Sequence, residues 1–496
     1  MKKKAIWLTI AILLMWNIPV PAQYPQYSAT FPLADSIKIQ HPAKKNYWRP
    51  TIAIIGLNAG IWAFDRYTIA GGAEYNISIN TIRRNLQHGF VWDNDQFSTN
   101  LLWHPYHGGL YFNIARSDGL NFWQSIPYAF VGSLMWEYFM ENEYPSINDF
   151  IATPIGGMAL GEITFRLSNL LTDNRATGWE RFGREFLSTL ISPMRGLNRI
   201  ISGDAWKTGS TECEFSVDTP VNFCVSAGYR GLAEDSEIKN KIDNTLFLDL
   251  QLLYGNLFSE ENEKPYDAFL VGGAFNFFSK QPVISNVNVV GQLWGKNIPL
   301  KSEKSTLHWG VFQHFDYYDS NTVVERQQVN SYRIAEAAAL GIGDQYRRTS
   351  KRGAQFFLSA YLNGILLGGS ITDYYRVTNR DYNLGSGFSS KINAGLLLTR
   401  RKTGLNLKVE DYRLFTWKGY DPKTDLTQLS VEEQQRLNAQ GDKGNVRFTI
   451  YNMSLHYRFN KYCMLSLETS CYLRYSHYKY FPDIKYRIVE SKIGIA

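Results

Sequence analysis

Residues 463–474 read CMLSLETSCYLR, and this stretch decides the fold. Apolar and polar side chains alternate along it: Leu465 and Leu467 belong to one set, and Ser466 and Glu468 belong to the other. A period of two is typical of a β-strand with one apolar and one polar face. The stretch before it, 451-YNMSLHYRF-459, has the same alternation. The two stretches therefore predict adjacent antiparallel strands.

The same alternation recurs upstream, as in Leu246, Leu248 and Leu250 against Asp249 and Gln251. From about residue 207 onward the chain is predicted to form an antiparallel transmembrane β-barrel of about 12 strands, within a range of roughly 10 to 14, since single-chain bacterial barrels have even strand numbers. The predicted strands are 212–218, 221–231, 244–256, 266–279, 284–296, 304–318, 331–346, 353–374, 386–401, 403–417, 445–460, 463–480 and 484–495.

A β-sandwich in water also alternates, so the two folds must be compared. The predicted strands have roughly 10 to 16 residues, whereas strands in globular proteins have a mode of about 5–6. Aromatic residues make up 15% of the chain, as aromatic girdles at both membrane interfaces require. Residues 318–331 and 420–444 are long, polar and charged, as extracellular loops tend to be. These features favour a membrane barrel.

The first 22 residues predict export. Lys2 to Lys4 precede an apolar run of about a dozen residues, and Val20-Pro21-Ala22 offers a cleavage site, which is the build of a signal peptide. The alternative, a membrane anchor, would need roughly 20 apolar residues. Residues 23–50 are predicted to be an extended linker. Together with the barrel, the signal peptide predicts the outer membrane of a Gram-negative cell.

The formal charge of +7 includes the three signal lysines, so the exported chain carries about +4, which does not indicate nucleic-acid binding. Cys213 with Cys224, and Cys463 with Cys471, are spaced for disulfides in an oxidising periplasm. The alternative, which we favour, is that they are small apolar side chains on strands.

Residues 51–206 predict a helical domain, which gives the chain an α+β fold. Ser78 and Ser146 are placed to start helices, residues 121–140 form a long apolar helix, and Thr177–Ile200 is an amphipathic one. Polar residues interrupt the apolar segments, so none is a convincing inner-membrane span. The helices are expected to pack on one another and on the barrel, either as a plug in the lumen or as a periplasmic platform.

Two histidines three residues apart, His104 and His107, could share one face of a helix and address one ligand. His88, Asp93 and Asp95 add further polar groups nearby. The alternative is a polar, aromatic-rich loop whose histidines bond to backbone carbonyls. A third metal ligand does not stand at a diagnostic spacing, so we expect neither a metal nor a cofactor.

A carboxylate in an apolar helix needs a partner or a raised pKa. Glu137 is such a group, and Arg116 is its predicted buried partner. Glu141 and Asp149 extend the predicted polar cluster. For catalysis the candidates are His107 and Glu137 with Ser125, or with Ser117 in its place, although their spacing matches no established motif.

Residues 48–206 resemble an uncharacterised "domain of unknown function" family of Gram-negative outer-membrane proteins. The resemblance rests on His88–Asp95, His104–Gly108, Met135–Glu137, Pro145–Asp149 and Ser192–Gly196. It implies no known activity. A weaker likeness is to helical envelope proteins of the VanZ type, in which a helix ending in Glu precedes a Ser-x-x-Asp start and a Gly-rich helix, as in Glu137, Ser146–Asp149 and Gly156-Gly157.

Three functions remain open from the sequence. The first is a non-enzymatic barrel for passage or anchoring, with helices that plug it or dock a periplasmic protein. The second is an enzyme that modifies outer-membrane lipid or lipopolysaccharide, such as a lipid hydrolase or acyl transferase. The third is an assembly protein, in which basic residues of 177–199 contact a partner or anionic head groups.

Overall fold

The structure is a computed structural model that describes residues 45–496 with short gaps. The gaps are 69–73, 94, 210–218, 235–241, 261, 303, 322–331, 376–380, 399–401, 431–432, 434–436, 439–440 and 461. The predicted signal peptide, most of the predicted linker and the predicted strand at 212–218 lie outside the described residues.

Among the described residues, seven α-helices precede the strands. They are α1 (Trp48–Thr68), α2 (Ile79–His88), α3 (His104–Ser117), α4 (Phe122–Phe139), α5 (Ile147–Leu171), α6 (Gly178–Ile191) and α7 (Pro193–Ser202), with a π-helical turn at Thr99–Trp103 leading into α3. Within the described part of the chain, no helix is both long enough and apolar enough to cross a membrane.

Local sequence explains where three of the helices begin. Ser78, Asn121 and Ser146 are N-caps whose side chains accept a hydrogen bond from the backbone N–H three residues on. Two boundaries differ from prediction. Helix α1 begins at Trp48, inside the predicted linker of 23–50. The single helix predicted over 177–200 is two helices, because Pro193 cannot donate the backbone hydrogen bond that would continue α6.

Twelve antiparallel strands form a closed barrel in which each strand pairs with its neighbours in the chain and β1 pairs with β12. The strands are β1 (Val221–Glu234), β2 (Asp243–Tyr254), β3 (Phe269–Phe277), β4 (Ile284–Ile298), β5 (Ser305–Asp319), β6 (Arg333–Thr349), β7 (Gln355–Ile371), β8 (Tyr382–Leu398), β9 (Thr403–Thr416), β10 (Gly444–Arg458), β11 (Met464–Tyr478) and β12 (Ile484–Ile495). The predicted fold class and strand number are confirmed.

The two faces of each strand differ as the alternation predicted. On β8, Phe388 and Ile392 are exposed on the outer wall, whereas Ser389 and Lys391 are buried in the lumen. Successive side chains of a strand point to opposite faces, so this burial pattern fixes which residues face outward. The long connections 320–332 and 417–443 leave one end of the barrel, and the short turns 350–354 and 399–402 leave the other.

The lumen is filled by the barrel's own side chains. Lys391 forms ion pairs with both Asp316 and Glu336. Arg230 is paired with Glu490, its Nε donating to Oε2 over 2.7 Å. Between these ion pairs lies an apolar and aromatic cluster of strand residues: Leu232, Tyr318, Tyr332, Ile334, Ala339, Ile365, Tyr412, Leu414, Phe448, Ile450, Tyr472 and Ile488.

The helical domain is held together by a backbone contact between α3 and α5. A Cβ atom added at Gly108 would lie 1.7 Å from the carbonyl oxygen of Thr153, and one added at Gly109 would lie 3.2 Å from the backbone nitrogen of Gly161. Only glycine permits such an approach. The glycines of α5 therefore leave one face of this helix bare for close packing. Next to it, Gly156 approaches the carbonyl of Ala337 in β6.

The helices contact the outer wall of the barrel. Tyr382 and Tyr254 share the outward faces of β8 and β2, because they lie in register with the exposed Phe388 and Leu246. The Tyr382 hydroxyl donates to the carbonyl of Asp95 over 2.9 Å. At the other end of α5, the guanidinium of Arg166 lies over the Tyr254 ring at 5.7 Å. These contacts place α5 along the wall from the long-loop end to the short-turn end.

Candidate functional site

A polar cleft opens where the N-terminal ends of α3 and α5 meet, at the long-loop end of the barrel. At its centre is His104, whose Nε2 lies 3.8 Å from an Asp95 carboxylate oxygen and 3.7 Å from one of Asp149. The His104 side chain is 14% exposed, so the cleft reaches it. The residues that line the cleft are Glu74, Tyr75, Val91, Asp93, Asp95, His104, Glu141, Glu143, Tyr144, Ser146, Asp149 and Leu437.

Two local features present these side chains. The π-helical turn Thr99–Trp103 runs directly into α3 and delivers His104 as the first residue of the α-helix. Single π-turns in helices are frequent at functional sites. The segment before it is pinned to the start of α5 by a parallel bridge between Val91 and Ser146. The cleft is thus framed by the first turns of two helices and one extended strand.

Asp93 connects the cleft to its support. Its Oδ1 accepts from the Asn100 amide at 2.6 Å, and its Oδ2 accepts from the Asn148 amide at 3.0 Å. The Asn100 amide also donates to the hydroxyl of Tyr382 on the barrel wall, at 2.6 Å. Because carboxylate, amide and phenol form one connected network, the position of the cleft is tied to the barrel.

Two glutamates at the cleft have raised pKa values. Burial, reinforced by the nearby charge of Glu141, raises the pKa of Glu137 well above its ordinary value. Glu137 Oε2 accepts from the backbone N–H of Ser146 over 2.6 Å. Burial raises the pKa of Glu141 to about 8, although the charge of His104 opposes the shift. Glu141 also accepts a hydrogen bond from the indole of Trp136. At neutral pH the cleft therefore holds a protonated carboxyl next to an imidazole.

The pKa values of the two histidines shift in opposite directions. Burial disfavours the charged form of His104, but hydrogen bonding to Asp95 and its negative charge outweigh burial and raise the His104 pKa. Burial and the proximity of His104 lower the pKa of His107 to about 3. The His107 ring lies 4.6 Å from that of Tyr111 and 5.1 Å from that of Trp136, between centroids. His104 therefore faces the cleft with a raised pKa, and His107 packs behind it as a neutral ring.

Most of the predicted polar cluster converges here. Asp93, Asp95, His104, Glu141 and Asp149 line the cleft. Glu137 lies behind its wall, and His88 stacks on the cleft residue Tyr144 with ring centroids 3.7 Å apart.

The remaining candidates lie elsewhere. The predicted pairing of Arg116 with Glu137 is wrong: Arg116 Nε donates to Glu162 at 2.7 Å, at the opposite end of α3 from His104. Ser125 is buried in the first turn of α4 and donates to the carbonyl of Asn121, and it is roughly 18 Å along the helix from Glu137. A serine nucleophile served by His107 and Glu137 does not assemble. Ser117 ends α3 and is likewise remote from the cleft.

Several residues of these sites were not predicted. Glu74 and Tyr75 reach the cleft from the connection between α1 and α2, and Leu437 reaches it from the β9–β10 connection. Nothing in their local sequence indicates this role. Glu143 and Tyr144 follow Glu141 directly, so their closeness to a predicted residue was an available signal. Glu162 of the Gly-rich helix α5 was not predicted either, and it also accepts a hydrogen bond from Arg166 at 2.8 Å.

The donor set suits proton transfer and polar recognition. His104, whose pKa is raised by Asp95, and Glu141, whose pKa is raised to about 8, can each give a proton to a bound oxygen or nitrogen group. Ionised and neutral carboxyls around them can bond to hydroxyl or amino groups. Among the described residues, His, Cys, Asp and Glu side chains form no group of three positioned to hold a metal ion.

Comparison with known proteins gives one sequence match and several weak structural ones. Residues 89–194 match a family described as "Domain of unknown function (DUF3943)". No curated protein matches the chain. The match includes most of the cleft residues, though not Glu74, Tyr75 or Leu437, and the resemblance to an uncharacterised family is confirmed over residues 89–194. The likeness to VanZ-type proteins stays a prediction.

Solved structures similar to this chain are outer-membrane barrels. OmpT of Vibrio cholerae is 8% identical with a TM-score of 0.23, over 57% of this chain and 99% of that one. The channel DcaP of Acinetobacter baumannii is 10% identical with a TM-score of 0.21, over 57% and 98%. The toluene transporter TodX of Pseudomonas putida is 7% identical with a TM-score of 0.20, over 56% and 88%. Scores this low add nothing to the architecture described above, so the one similarity of substance is that of residues 89–194 to DUF3943.

Proposed function

We propose that this protein is an outer-membrane β-barrel that serves as an anchor rather than a passage, and that its specific function lies in the His104 cleft of the helical domain. The observation that carries the proposal is the filled lumen. Lys391 is bound between Asp316 and Glu336, and an aromatic cluster that includes the Tyr332–Tyr472 stack, with centroids 4.2 Å apart, occupies the space beside it.

The outer surface of the barrel supports the membrane location. Leu246, Ile342, Phe388, Ile392 and Ile493 are 43–51% exposed, and they lie on four strands around the wall. A contiguous apolar band of this kind on a closed barrel is what the lipid phase requires, since a barrel leaves no unpaired strand edge in the bilayer. The long connections then lie on the extracellular side and the short turns on the periplasmic side.

A liposome-swelling assay tests the anchor proposal. We expect liposomes that contain the full-length protein to be as impermeable to small sugars as protein-free liposomes, with a general porin as the positive control. The matched variant carries Tyr332→Ala and Tyr472→Ala, which remove the stacked rings and should admit some solute. Permeation through the unmodified protein at rates near those of the porin would overturn the anchor role.

A second function is favoured by the geometry of the cleft itself. His104 lies between Asp95 and Asp149, and the protonated Glu141 faces the same space. An imidazole with a raised pKa beside a protonated carboxyl is a general acid arrangement. Because the cleft lies at the long-loop end of the wall, the substrate class that fits is the polar head group of an outer-membrane lipid or lipopolysaccharide.

Lipid composition is the readout for this second function. Envelope lipids from cells with His104→Ala or Glu141→Gln would be compared by mass spectrometry with those from wild type, and Glu180→Gln, an exposed residue of α6, is the control. A missing or accumulated lipid species in both cleft variants and not in the control is expected. Identical lipid profiles in all four strains would rule out head-group chemistry and leave the anchor proposal untouched.

A periplasmic partner that docks on the basic residues of 177–199 has less support. Arg181 donates to the backbone carbonyl of Ala205, Arg184 is paired with Glu180, and Arg199 is paired with Glu185. These guanidinium groups are used inside the helical domain.

A further inference from the structure

An apolar groove runs between α1 and α7 on the surface of the helical domain, with a volume of about 480 Å³. Every side chain that lines it is apolar, or the residue is a glycine. The lining residues are Ala53, Gly56, Leu57, Gly60, Ile61 and Phe64 of α1, and Met194, Leu197 and Ile201 of α7. From Ala53 to Phe64 the groove follows the helix for roughly 17 Å, at a rise of about 1.5 Å per residue.

Two glycines in the groove make no close backbone contact with the described part of the chain. A Cβ atom added at Gly56 or at Gly60 would meet nothing within 4 Å, unlike one added at Gly157, which would meet the Gly108 backbone. A glycine inside a helix costs about 1 kcal/mol relative to alanine. Since nothing in the described chain approaches these two positions, an occupant from outside the chain is the group that gains from the bare backbone.

The groove is the centre of a larger exposed apolar surface. Ile52 of α1 is exposed beside it, and Phe182, Phe186 and Leu190 are exposed at helical spacing on α6, the helix before α7. Large contiguous apolar patches do not remain in contact with water on a stable protein.

The border of this surface has the chemistry of a membrane interface. Trp179, at the start of α6, is 85% exposed, and Trp206, just beyond α7, is 71% exposed. Tryptophan is enriched where the lipid phase meets the head groups. The opposite side of α6 and α7 is polar and internally paired, as in Arg199 with Glu185. Amphipathic helices of this build lie in the interface with the apolar face among acyl chains.

We propose that the groove between α1 and α7 holds one acyl chain of a phospholipid from the membrane around the barrel. The inference rests on the proposed membrane location of the barrel. The length of the groove is close to one leaflet, which is about half of the ~30 Å hydrocarbon core. The Phe64 end of the groove is the one nearer the cleft, because Trp62 Nε1 donates to the carbonyl of the cleft residue Tyr75 over 2.9 Å. A lipid whose chain lies along α1 therefore has its head group towards the His104 side.

Native mass spectrometry of the full-length protein in detergent tests chain binding. After reconstitution with phosphatidylglycerol and transfer back to detergent, we expect wild type to retain one phospholipid. The double variant Gly56→Leu, Gly60→Leu fills the groove and should retain none. Ala59→Leu is the matched control, because it adds the same side chain to the same helix outside the groove and should retain the lipid. Equal retention by the double variant and wild type would overturn the proposal.

A fluorescence experiment separates the groove from the membrane location. A bimane label is placed at Gly60→Cys, at Ile342→Cys on the barrel wall, or at Lys351→Cys in a short turn, in a background without native cysteines. Brominated acyl chains should quench the label at positions 60 and 342 and not at 351. Quenching at 342 alone would overturn acyl-chain binding in the groove and leave the membrane location of the barrel intact. An absence of quenching at 342 would overturn the membrane location itself.

The same labelled protein tests the competing occupant, a second copy of the chain. A short bifunctional maleimide should not join two copies through Gly60→Cys in liposomes of low protein content. Efficient cross-linking there, with no quenching by brominated lipid, would assign the groove to a dimer contact and overturn acyl-chain binding.

Discussion

A Cβ atom added at Gly157 would lie 2.5 Å from the carbonyl carbon of Gly108, so α3 and α5 touch backbone to backbone where they pass. This contact lies one turn below the His104 cleft. It sets the separation of the two helices whose first turns carry His104 and Asp149.

Gly157→Ala should therefore destabilise the helical domain. Overpacking of a well-packed contact costs typically about 1–3 kcal/mol, and here the neighbour is backbone, which cannot turn aside. Urea unfolding in detergent, followed by tryptophan fluorescence, measures the change. Gly183→Ala in α6 is the control, because its added methyl meets nothing within 4 Å. It should be neutral or gain up to about 1 kcal/mol. Equal stability of the two variants would refute the backbone contact.

The buried pair of Arg116 with Glu162 gives a second prediction. Glu162→Gln leaves the guanidinium of Arg116, whose side chain is 2% exposed, without its carboxylate. Removing one partner of a buried ion pair costs about 3–5 kcal/mol. Glu180→Gln removes an exposed partner of Arg184 in a pair of the same sequence spacing as Glu162 and Arg166. It should change the free energy of unfolding by less than about 1 kcal/mol. A small loss for both variants would contradict the burial of the pair.

Glu141 should titrate far from the usual range of a carboxyl. Its pKa rises from an ordinary 4.5 to about 8, because burial disfavours the ionised form. The infrared band of its protonated carboxyl should disappear with a midpoint near pH 8, and Glu141→Gln should lack that component. Glu180→Gln should leave the titration unchanged. A wild-type spectrum identical to that of Glu141→Gln across this range would show that the carboxyl is ionised throughout.

The same shift has a consequence for stability. Between 4.5 and about 8 the folded state holds the Glu141 proton and the unfolded state does not. The free energy of unfolding should therefore fall as pH rises through this window. Glu141→Gln should have a flatter profile. A steeper fall in the variant than in wild type would reverse the assigned sign.

Tyr382→Phe tests the link between barrel and cleft. The substitution removes the hydroxyl that bonds to the Asn100 amide and to the Asp95 carbonyl. Each lost hydrogen bond is worth about 1 kcal/mol, so amide exchange over residues 95–103 should accelerate roughly five-fold or more. Tyr346→Phe, which loses a bond to Ser305 on the far part of the barrel, is the control. Unchanged exchange in Tyr382→Phe would mean that the wall does not hold the cleft.

The barrel could be predicted from sequence because its rule is local. Leu465 and Ser466 are consecutive in the strand, so they lie on opposite faces. Because the outer face meets lipid and the inner face is polar, Leu465 is assigned to the outer face and Ser466 to the lumen. Helix starts at Ser78 and Ser146 were predictable for the same reason, since a cap acts within three residues. Pro193 is also a local signal for the end of α6, since proline has no backbone N–H to continue a helix.

The cleft could be predicted only in part. The sequence predicts four of its residues, because polar side chains in apolar segments need a bonding partner or a function. They are Asp93, His104, Glu141 and Asp149. The predicted partner of Arg116 was wrong because Glu137 and Glu162 are both carboxylates within apolar helices. Only the parallel packing of α3 on α5 brings Glu162, and not Glu137, to Arg116. Leu437 reaches the cleft because the β9–β10 connection contacts the helical domain, where the backbone N–H of Trp92 donates to the Asn438 side chain over 3.0 Å. No local pattern encodes such a contact.

Closure of the barrel also orders events in time. Strand β12 pairs with β1 across some of the longest sequence separations in the chain, as in Ala227 with Ile495. Contacts of this kind form late, because the loop they close must be ordered first. Helix α5 is synthesised before any strand, yet Gly156 packs on β6 and Ile155 accepts a hydrogen bond from Gln313 of β5. These strand partners do not exist when the helix emerges, so this side of α5 has to wait, incompletely packed, for the wall that completes it.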